Sequence, residues 1–274
     1  MKQKVYGLIG DPVSHSLSPQ MQNTAFKTKK LPHTYHLFHV KKQNLKKAIE
    51  GAKALNLGGL NVTIPHKQKA LKLCTETSEE AVIAGAVNTI DLKEKIHGYN
   101  TDIIGAKKAV TQPKKHYEKA VIVGAGGAAR GVCIALKDNA KQITIINRTP
   151  KKARELSELL QKQNTKSSYR PLNKLSQELS NADLLINSTP VGMYPNTNKS
   201  ITTKENLHKD LIVFDLVYRP IKTKLLKQAE EVGAKTINGV EMLVQQGAES
   251  FKIWTNREPP TDKMREAVHR ELKQ

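Results

Sequence analysis

A short apolar run, Val121-Ile122-Val123, leads into Gly124-Ala125-Gly126-Gly127-Ala128-Ala129, and a second apolar run ends on Asn147-Arg148-Thr149. Glycines at that spacing, between a strand and a helix, let a backbone close on a pyrophosphate. Gly124 permits the tight turn, Gly126 withholds the Cβ that would meet the phosphates, and the small Ala129 lets helix and strand approach. The first amides of the helix then face the anion. A strand ending on Asp or Glu would grip the ribose 2′-hydroxyl of NAD; this one offers Asn147, Arg148 and Thr149, then Lys151 and Lys152. Those donors and cations suit a 2′-phosphate, so the expected cofactor is NADP. A glycine pattern alone is more often an ordinary turn, and Arg148 alone reads as a solvated charge. The ordered strand, turn, helix and strand, with Ala128, Val132, Ala135 and Leu136 at helical spacing, favour the dinucleotide.

A second set of polar residues falls at predicted strand ends, where open α/β sheets hold their ligands. Ser14, Ser16 and Ser18 follow the first strand, and Asn61 and Thr63 close the third with Lys67 just beyond. Asn88 lies on a further strand, and Asn100-Thr101-Asp102 follows its neighbour. Each has a plain structural account: Ser18 and Thr101 suit helix caps, Asp102 a first helical turn, and Lys67 a solvated surface. Their convergence on hydroxyl, amide, ammonium and carboxylate groups instead describes a pocket for a small polyhydroxylated acid. Gln246 adds to it. It lies beside a helical face of Leu243, Gly247, Ser250 and Trp254, whereas Gln245 is expected to point away. Trp254 reads as core.

The elements that must position these groups alternate between strand and helix. Strands are expected at Val5–Ile9, His33–Val40, Gly59–Val62, Ala86–Asp91 and Lys95–Tyr99, with helices from Ser18-Pro19, over Asn44–Leu55, after Pro65 and from about Thr101. Gln112-Pro113-Lys114-Lys115 is a polar break and a candidate crossing between domains. Strands at Ala120–Val123, Gln142–Ile146, Leu184–Asn187, Leu211–Leu216 and Lys235–Ile237 follow, with a helix from Pro150, one from Gly239 through Trp254, and a last one from Thr261. The fold class is α/β with two α/β domains: an N-terminal mixed-sheet domain for substrate and a Rossmann-type doubly wound domain for NADP. Residues 1–103 with 240–274 are assigned to the first and 104–239 to the second.

With 274 residues, 38% hydrophobic and only 4% aromatic, the chain must build its cores from Leu, Ile, Val and Ala. Cys74 and Cys133 form no metal or redox pattern and read as small hydrophobes; no metal is expected. No apolar run approaches a membrane span, and Lys2–Ile9 reads as a strand, so a soluble, cytoplasmic protein without membrane partners is expected. The net charge of +20 suits anionic ligands. Its lysines are scattered over most helices, which favours compositional bias on solvated faces over nucleic-acid binding.

Six segments carry a family resemblance. Gly10-Asp11-Pro12-Val13-Ser14-His15-Ser16-Leu17-Ser18-Pro19, Asn61-Val62-Thr63-Ile64-Pro65-His66-Lys67 and Gly85-Ala86-Val87-Asn88-Thr89 resemble signature segments of shikimate dehydrogenases. So do Gly98-Tyr99-Asn100-Thr101-Asp102, Asn147-Arg148-Thr149 and Met242-Leu243-Val244-Gln245-Gln246, all in the family's order. The resemblance implies NADPH-dependent reduction of 3-dehydroshikimate to shikimate, on the way to chorismate and the aromatic amino acids. It implies that Ser16 and Ser18 hold the substrate carboxylate, that Thr63, Lys67, Asn88, Asp102, Tyr218 and Gln246 surround the ring oxygens, and that Lys67 and Asp102 are the catalytic pair. On the cofactor side it implies Gly124, Ala125, Gly126, Gly127, Ala128, Asn147, Arg148, Thr149, Lys152, Leu216 and Gly239, with Glu79 more weakly. Position 216 is often Met in relatives and position 152 often Arg; Leu keeps the apolar contact and Lys the charge without the bidentate fork. A monomer or homodimer is expected. The alternatives are a quinate/shikimate dehydrogenase of broader range and, from another class, a non-catalytic dinucleotide- or nucleic-acid-binding protein.

Overall fold

The chain forms two sheets, each built from the strand-and-helix alternation in its own stretch of sequence. The computed structural model describes residues 2–111 and 113–272. Contacts divide the chain into two units, residues 1–105 with 244–274 and residues 106–243. The two crossings fall inside helices, at Gly105/Ala106 and Leu243/Val244; Pro113–Lys115 lie in the second unit, and Gln112 lies outside the described residues.

In the first unit β1 (Val5–Gly10) is followed by α1 (Ser18–Thr28), β2 (Thr34–His39), α2 (Leu45–Ala54), β3 (Gly59–Val62) and α3 (Lys67–Leu71). Then come β4 (Glu76–Thr77), α4 (Glu79–Ala84), β5 (Thr89–Asp91), β6 (His97–Tyr99) and α5 (Asp102–Thr111). The strands make a mixed sheet in the order β2-β1-β3-β5-β6-β4. β1 runs parallel to β2 and β3, and β5 turns antiparallel to β3 and β6. Ile9, Leu60, Val62 and Ile90 close on Leu45, Ile49 and Ala52 of α2, the apolar face that helical spacing predicts.

Trp254 is core, as its spacing suggests: its Nε1 donates to the Ile90 carbonyl at 3.0 Å, and the ring lies 4.9 Å from Tyr6. Gly59 makes room for the indole, since a Cβ there would overlap it. Three local expectations need correction, the first being that Asn88 lies on a strand: β5 begins only at Thr89. Ser18 does not cap α1; Leu17 holds the cap position, and Ser18 is the first helical residue, buried. The Asn44 helix opens as a 3-10 turn over Lys42–Asn44, with no side-chain cap.

The second unit contains β7 (Tyr117–Val123), α6 (Gly127–Leu136), β8 (Ala140–Asn147), α7 (Pro150–Gln161), β9 (Ser167–Pro171), α8 (Leu175–Leu179), β10 (Leu184–Asn187), β11 (Ile212–Asp215), α9 (Lys224–Glu231) and β12 (Lys235–Ile237). All six strands are parallel, in the order β12-β11-β10-β7-β8-β9. The chain thus starts mid-sheet, winds one way to β9 and then the other way to β12, which puts the topological switch between β7 and β10. Val121, Ile122, Ile143, Ile145, Leu184 and Leu185 are fully buried, as strands covered on both faces must be. α10 (Gly239–Thr255) and α11 (Thr261–Leu272) complete the chain, and α11 packs on α1. No described helix is long and apolar enough to cross a membrane.

β11 ends on Asp215, which has no exposed surface, and burial pushes its carboxyl up to about 6 despite three hydrogen bonds. The unfolded chain ionises that group near 3.9. Between those values the folded protein holds a proton that the unfolded chain has released, so the group's contribution to stability rises as pH falls from 7 towards 4. Wild type should therefore gain about 2 kcal/mol on Asp215→Asn over that range. Paired urea titrations check this; a stability difference that does not vary with pH refutes the raised carboxyl.

Candidate active site

The carboxyl ends of β1, β3 and β6 carry the polar groups of the first unit. Beyond β3 the chain passes Thr63 and Pro65 into α3, whose first residue is Lys67. Local bonds fix that turn: Thr63 N donates to the Ile9 carbonyl at 2.9 Å, and His66 N to the Thr63 carbonyl at 2.9 Å. His66 is fully buried, and its Nε2 meets the Val40 carbonyl at 2.6 Å, so Nε2 carries the proton. The Lys67 carbonyl in turn accepts from Val87 N at 2.9 Å.

Thus held, Lys67 Nζ donates to Asp102 Oδ2 at 2.6 Å, and the two side chains are only 12% and 6% exposed. Asp102 opens α5, where the helix dipole favours a negative charge. Its other oxygen, Oδ1, accepts from Asn88 Nδ2 at 2.8 Å. Asn88 is oriented by the backbone: Thr101 N donates to its Oδ1 at 2.7 Å, which turns the amide nitrogen towards Asp102. Its second amide proton goes to Thr101 Oγ1 at 3.0 Å.

Beneath this pair lies a fully buried polar cluster. Asn61 Nδ2 donates to Thr89 Oγ1 at 3.0 Å and to Ser250 Oγ at 2.9 Å, while Tyr35 Oη donates to Asn61 Oδ1 at 2.8 Å. Burial pushes the Tyr35 phenol far up, so it stays a neutral donor. Asn61 therefore acts inside the sheet. Thr101 Oγ1 approaches Ser250 Oγ at 3.3 Å and donates to Asn88 Oδ1 at 3.2 Å, so its hydroxyl bonds across the fold. Ser16 Oγ donates to Ser18 Oγ at 3.2 Å, which pairs the two hydroxyls at the end of β1; Ser14 is exposed. Thr63, Gln245 and Gln246 are half-buried. Glu79 is exposed in the first turn of α4, which Ser78 caps at 3.3 Å from Ala81 N.

In the second unit the glycine turn has the predicted form. Gly124 has φ +116, and a Cβ there would overlap Ser188 Oγ. Gly124→Ala is expected to lower stability by about 1–3 kcal/mol and to weaken dinucleotide binding, as read by denaturant melts and cofactor titration. A Cβ on Gly126 would meet nothing within 4 Å beyond its chain neighbours, and as the residue before α6 it offers no side-chain cap to the first amides. At the end of β8, Asn147 Nδ2 folds back onto the Thr149 carbonyl at 3.0 Å. Arg148, Thr149, Lys151 and Lys152 are exposed, and Arg148, Lys151 and Lys152 make no ion pair among the described residues. An anion-ready turn, with unengaged cations where an NAD protein would carry an acid, fits NADP. Gly239 permits the start of α10 to press on the Leu216 carbonyl, which a Cβ would overlap. Leu216 and Tyr218 are both half-buried. Among the described residues no group of three His, Cys, Asp or Glu side chains is placed to hold a metal.

Fold and site define the class, a nicotinamide-dependent oxidoreductase with one mixed and one doubly wound sheet. Residues 8–90 match the shikimate dehydrogenase substrate binding domain, 105–243 the shikimate / quinate 5-dehydrogenase domain, and 239–269 the shikimate 5′-dehydrogenase C-terminal domain. The chain is 47% identical to the shikimate dehydrogenase (NADP+) of Methanosarcina barkeri, covering 98% of each chain. A shikimate dehydrogenase crystallised with NADP+ superposes with a TM-score of 0.93 at 45% identity, covering 99% of this chain and 96% of that one. Quinate dehydrogenase of Corynebacterium glutamicum, crystallised with NAD, gives 0.91 at 29% identity, covering 98% and 100%. The chain belongs to the shikimate dehydrogenase family.

Proposed function

We propose that the protein catalyses the reversible, NADPH-dependent reduction of 3-dehydroshikimate to shikimate in aromatic amino-acid biosynthesis. The observation that carries this reading is the buried 2.6 Å contact between Lys67 and Asp102, in a chain whose close relatives bear that activity in their names. Bound NADPH supplies the hydride. Lys67 presents its ammonium to the ketone oxygen, stabilises the negative charge that builds there and delivers the proton. Asp102, held from its far side by Asn88, keeps the ammonium aimed.

Ser16 and Ser18 offer paired hydroxyls to the substrate carboxylate, and Thr63, Asn88, Tyr218 and Gln246 serve the ring oxygens. Gly124–Ala128, Leu216 and Gly239 shape the backbone against the cofactor, Asn147, Arg148, Thr149 and Lys152 take its 2′-phosphate end, and Glu79 has the slightest part. We assign residues 1–103 with 240–274 to substrate and 104–239 to NADP. The exposed Arg148, in no ion pair among the described residues, favours NADP over the NAD found with the quinate enzyme. The test is to mix purified protein with NADPH and 3-dehydroshikimate and follow the loss of reduced-cofactor absorbance. Absence of turnover overturns the reading, and faster oxidation of quinate than of shikimate with NADP+ replaces it with the broader enzyme.

A further inference from the structure

Asp215 is an acid that the proposed chemistry does not use, buried at the carboxyl end of β11 without a cation among the described residues. Three donors from three segments converge on it. Thr223 Oγ1 donates to Oδ2 at 2.6 Å, while Val217 N and Asn187 Nδ2 donate to Oδ1 at 3.0 and 2.9 Å. Asn187 is committed on every side: its second amide proton goes to the Val191 carbonyl at 3.1 Å, and its Oδ1 accepts from Thr189 N and Oγ1. Thr223 also accepts from Leu226 N and so caps α9.

One carboxylate therefore ties together the segment after β10, the segment after β11 and the start of α9. Those segments border the switch point of the sheet, since Ser188, next to Asn187, lies against Gly124 of the glycine turn. The residue whose amide is tied, Val217, sits between Leu216 and Tyr218. On the other side, the Leu216 amide donates to the Asn187 carbonyl at 2.9 Å, and Gly239 abuts the Leu216 carbonyl. An uncompensated buried carboxylate is disfavoured, and a cap and a turn can be made without one.

We propose that Asp215 is a positioning residue, which through Val217 N, Asn187 and Thr223 sets the backbone that presents Leu216 and Tyr218 to their ligands. This rests on the assignment of Tyr218 to the substrate. An acid suits the position because its partners there all arrive as donors, of which only the Thr223 hydroxyl can reverse its role. Asparagine keeps one acceptor for Val217 N and Asn187 and can donate to Thr223, so it should restore most of the function.

The experiment is a double-mutant cycle between Asp215→Ala and Tyr218→Phe, read as KM and kcat for 3-dehydroshikimate, with Asp215→Asn as the rescue. Each single change is expected to raise KM roughly five- to tenfold with kcat less affected, the scale of one lost hydrogen bond. Together they should raise it little beyond the larger single effect, and Asp215→Asn should lie within about threefold of wild type. Multiplying effects, or an Asp215→Ala whose KM is unchanged, overturn the proposal. A Tyr218→Phe that leaves KM unchanged overturns instead the substrate role of Tyr218, and the proposal with it. Should Asp215→Ala not fold, Thr223→Val, which deletes one of the three donors, runs the same cycle with the same outcomes.

Discussion

Lys67→Ala is expected to lower kcat for 3-dehydroshikimate reduction by roughly a hundredfold or more while KM changes little. The ammonium stabilises charge that exists on the ketone oxygen mainly in the transition state, so its loss appears in turnover and hardly in binding. The structure sharpens the expectation, because Lys67 and Asp102 sit together at 2.6 Å and almost out of solvent. Alanine leaves the Asp102 carboxylate with its Asn88 bond but without its cation, so some loss of stability accompanies the loss of rate. Steady-state kinetics at matched folded fraction separate the two. A raised KM with intact kcat would make Lys67 a binding group only.

Arg148→Ala is expected to raise the KM for NADPH roughly ten- to a hundredfold while leaving that for NADH within a fewfold, as removal of a charge-assisted contact to the 2′-phosphate requires. Arg148 is exposed and in no ion pair among the described residues, so its removal leaves no buried partner behind and the fold should be unaffected. Lys152, in the first turn of α7, should give a smaller effect in the same direction, since an exposed ammonium makes no bidentate contact. Equal losses with both cofactors would place neither residue at the phosphate.

Much of the architecture was legible because its signals are local. β3 occupies Gly59–Val62 as read, and β10 and β12 likewise match their apolar runs at Leu184–Asn187 and Lys235–Ile237. The elements that escaped notice carry weak patterns. β9, Ser-Ser-Tyr-Arg-Pro, is a polar edge strand, β4 is two residues long, and α8 and α9 are short helices rich in polar residues. Ser18 was misread because a serine before proline is a good cap in isolation; here the helix starts one residue earlier, and the hydroxyl pairs with Ser16. The Asp215 cluster gave no sequence signal, since Asn187 and Asp215 each end an ordinary strand and meet only because β10 and β11 are neighbours in register.

The sequence by itself determined the two α/β patterns, the glycine turn and the cation-bearing end of β8, because backbone sterics, periodicity and the choice of acid or base at a strand end act over a few residues. Only the tertiary structure decided that Lys67 meets Asp102 across 35 residues of chain, that Asn88 turns its amide to the latter, and that Asn61 belongs to the interior. Those pairings depend on strand order and register, with β5 entering antiparallel between β3 and β6, and a one-residue slip there would send each side chain to the opposite face.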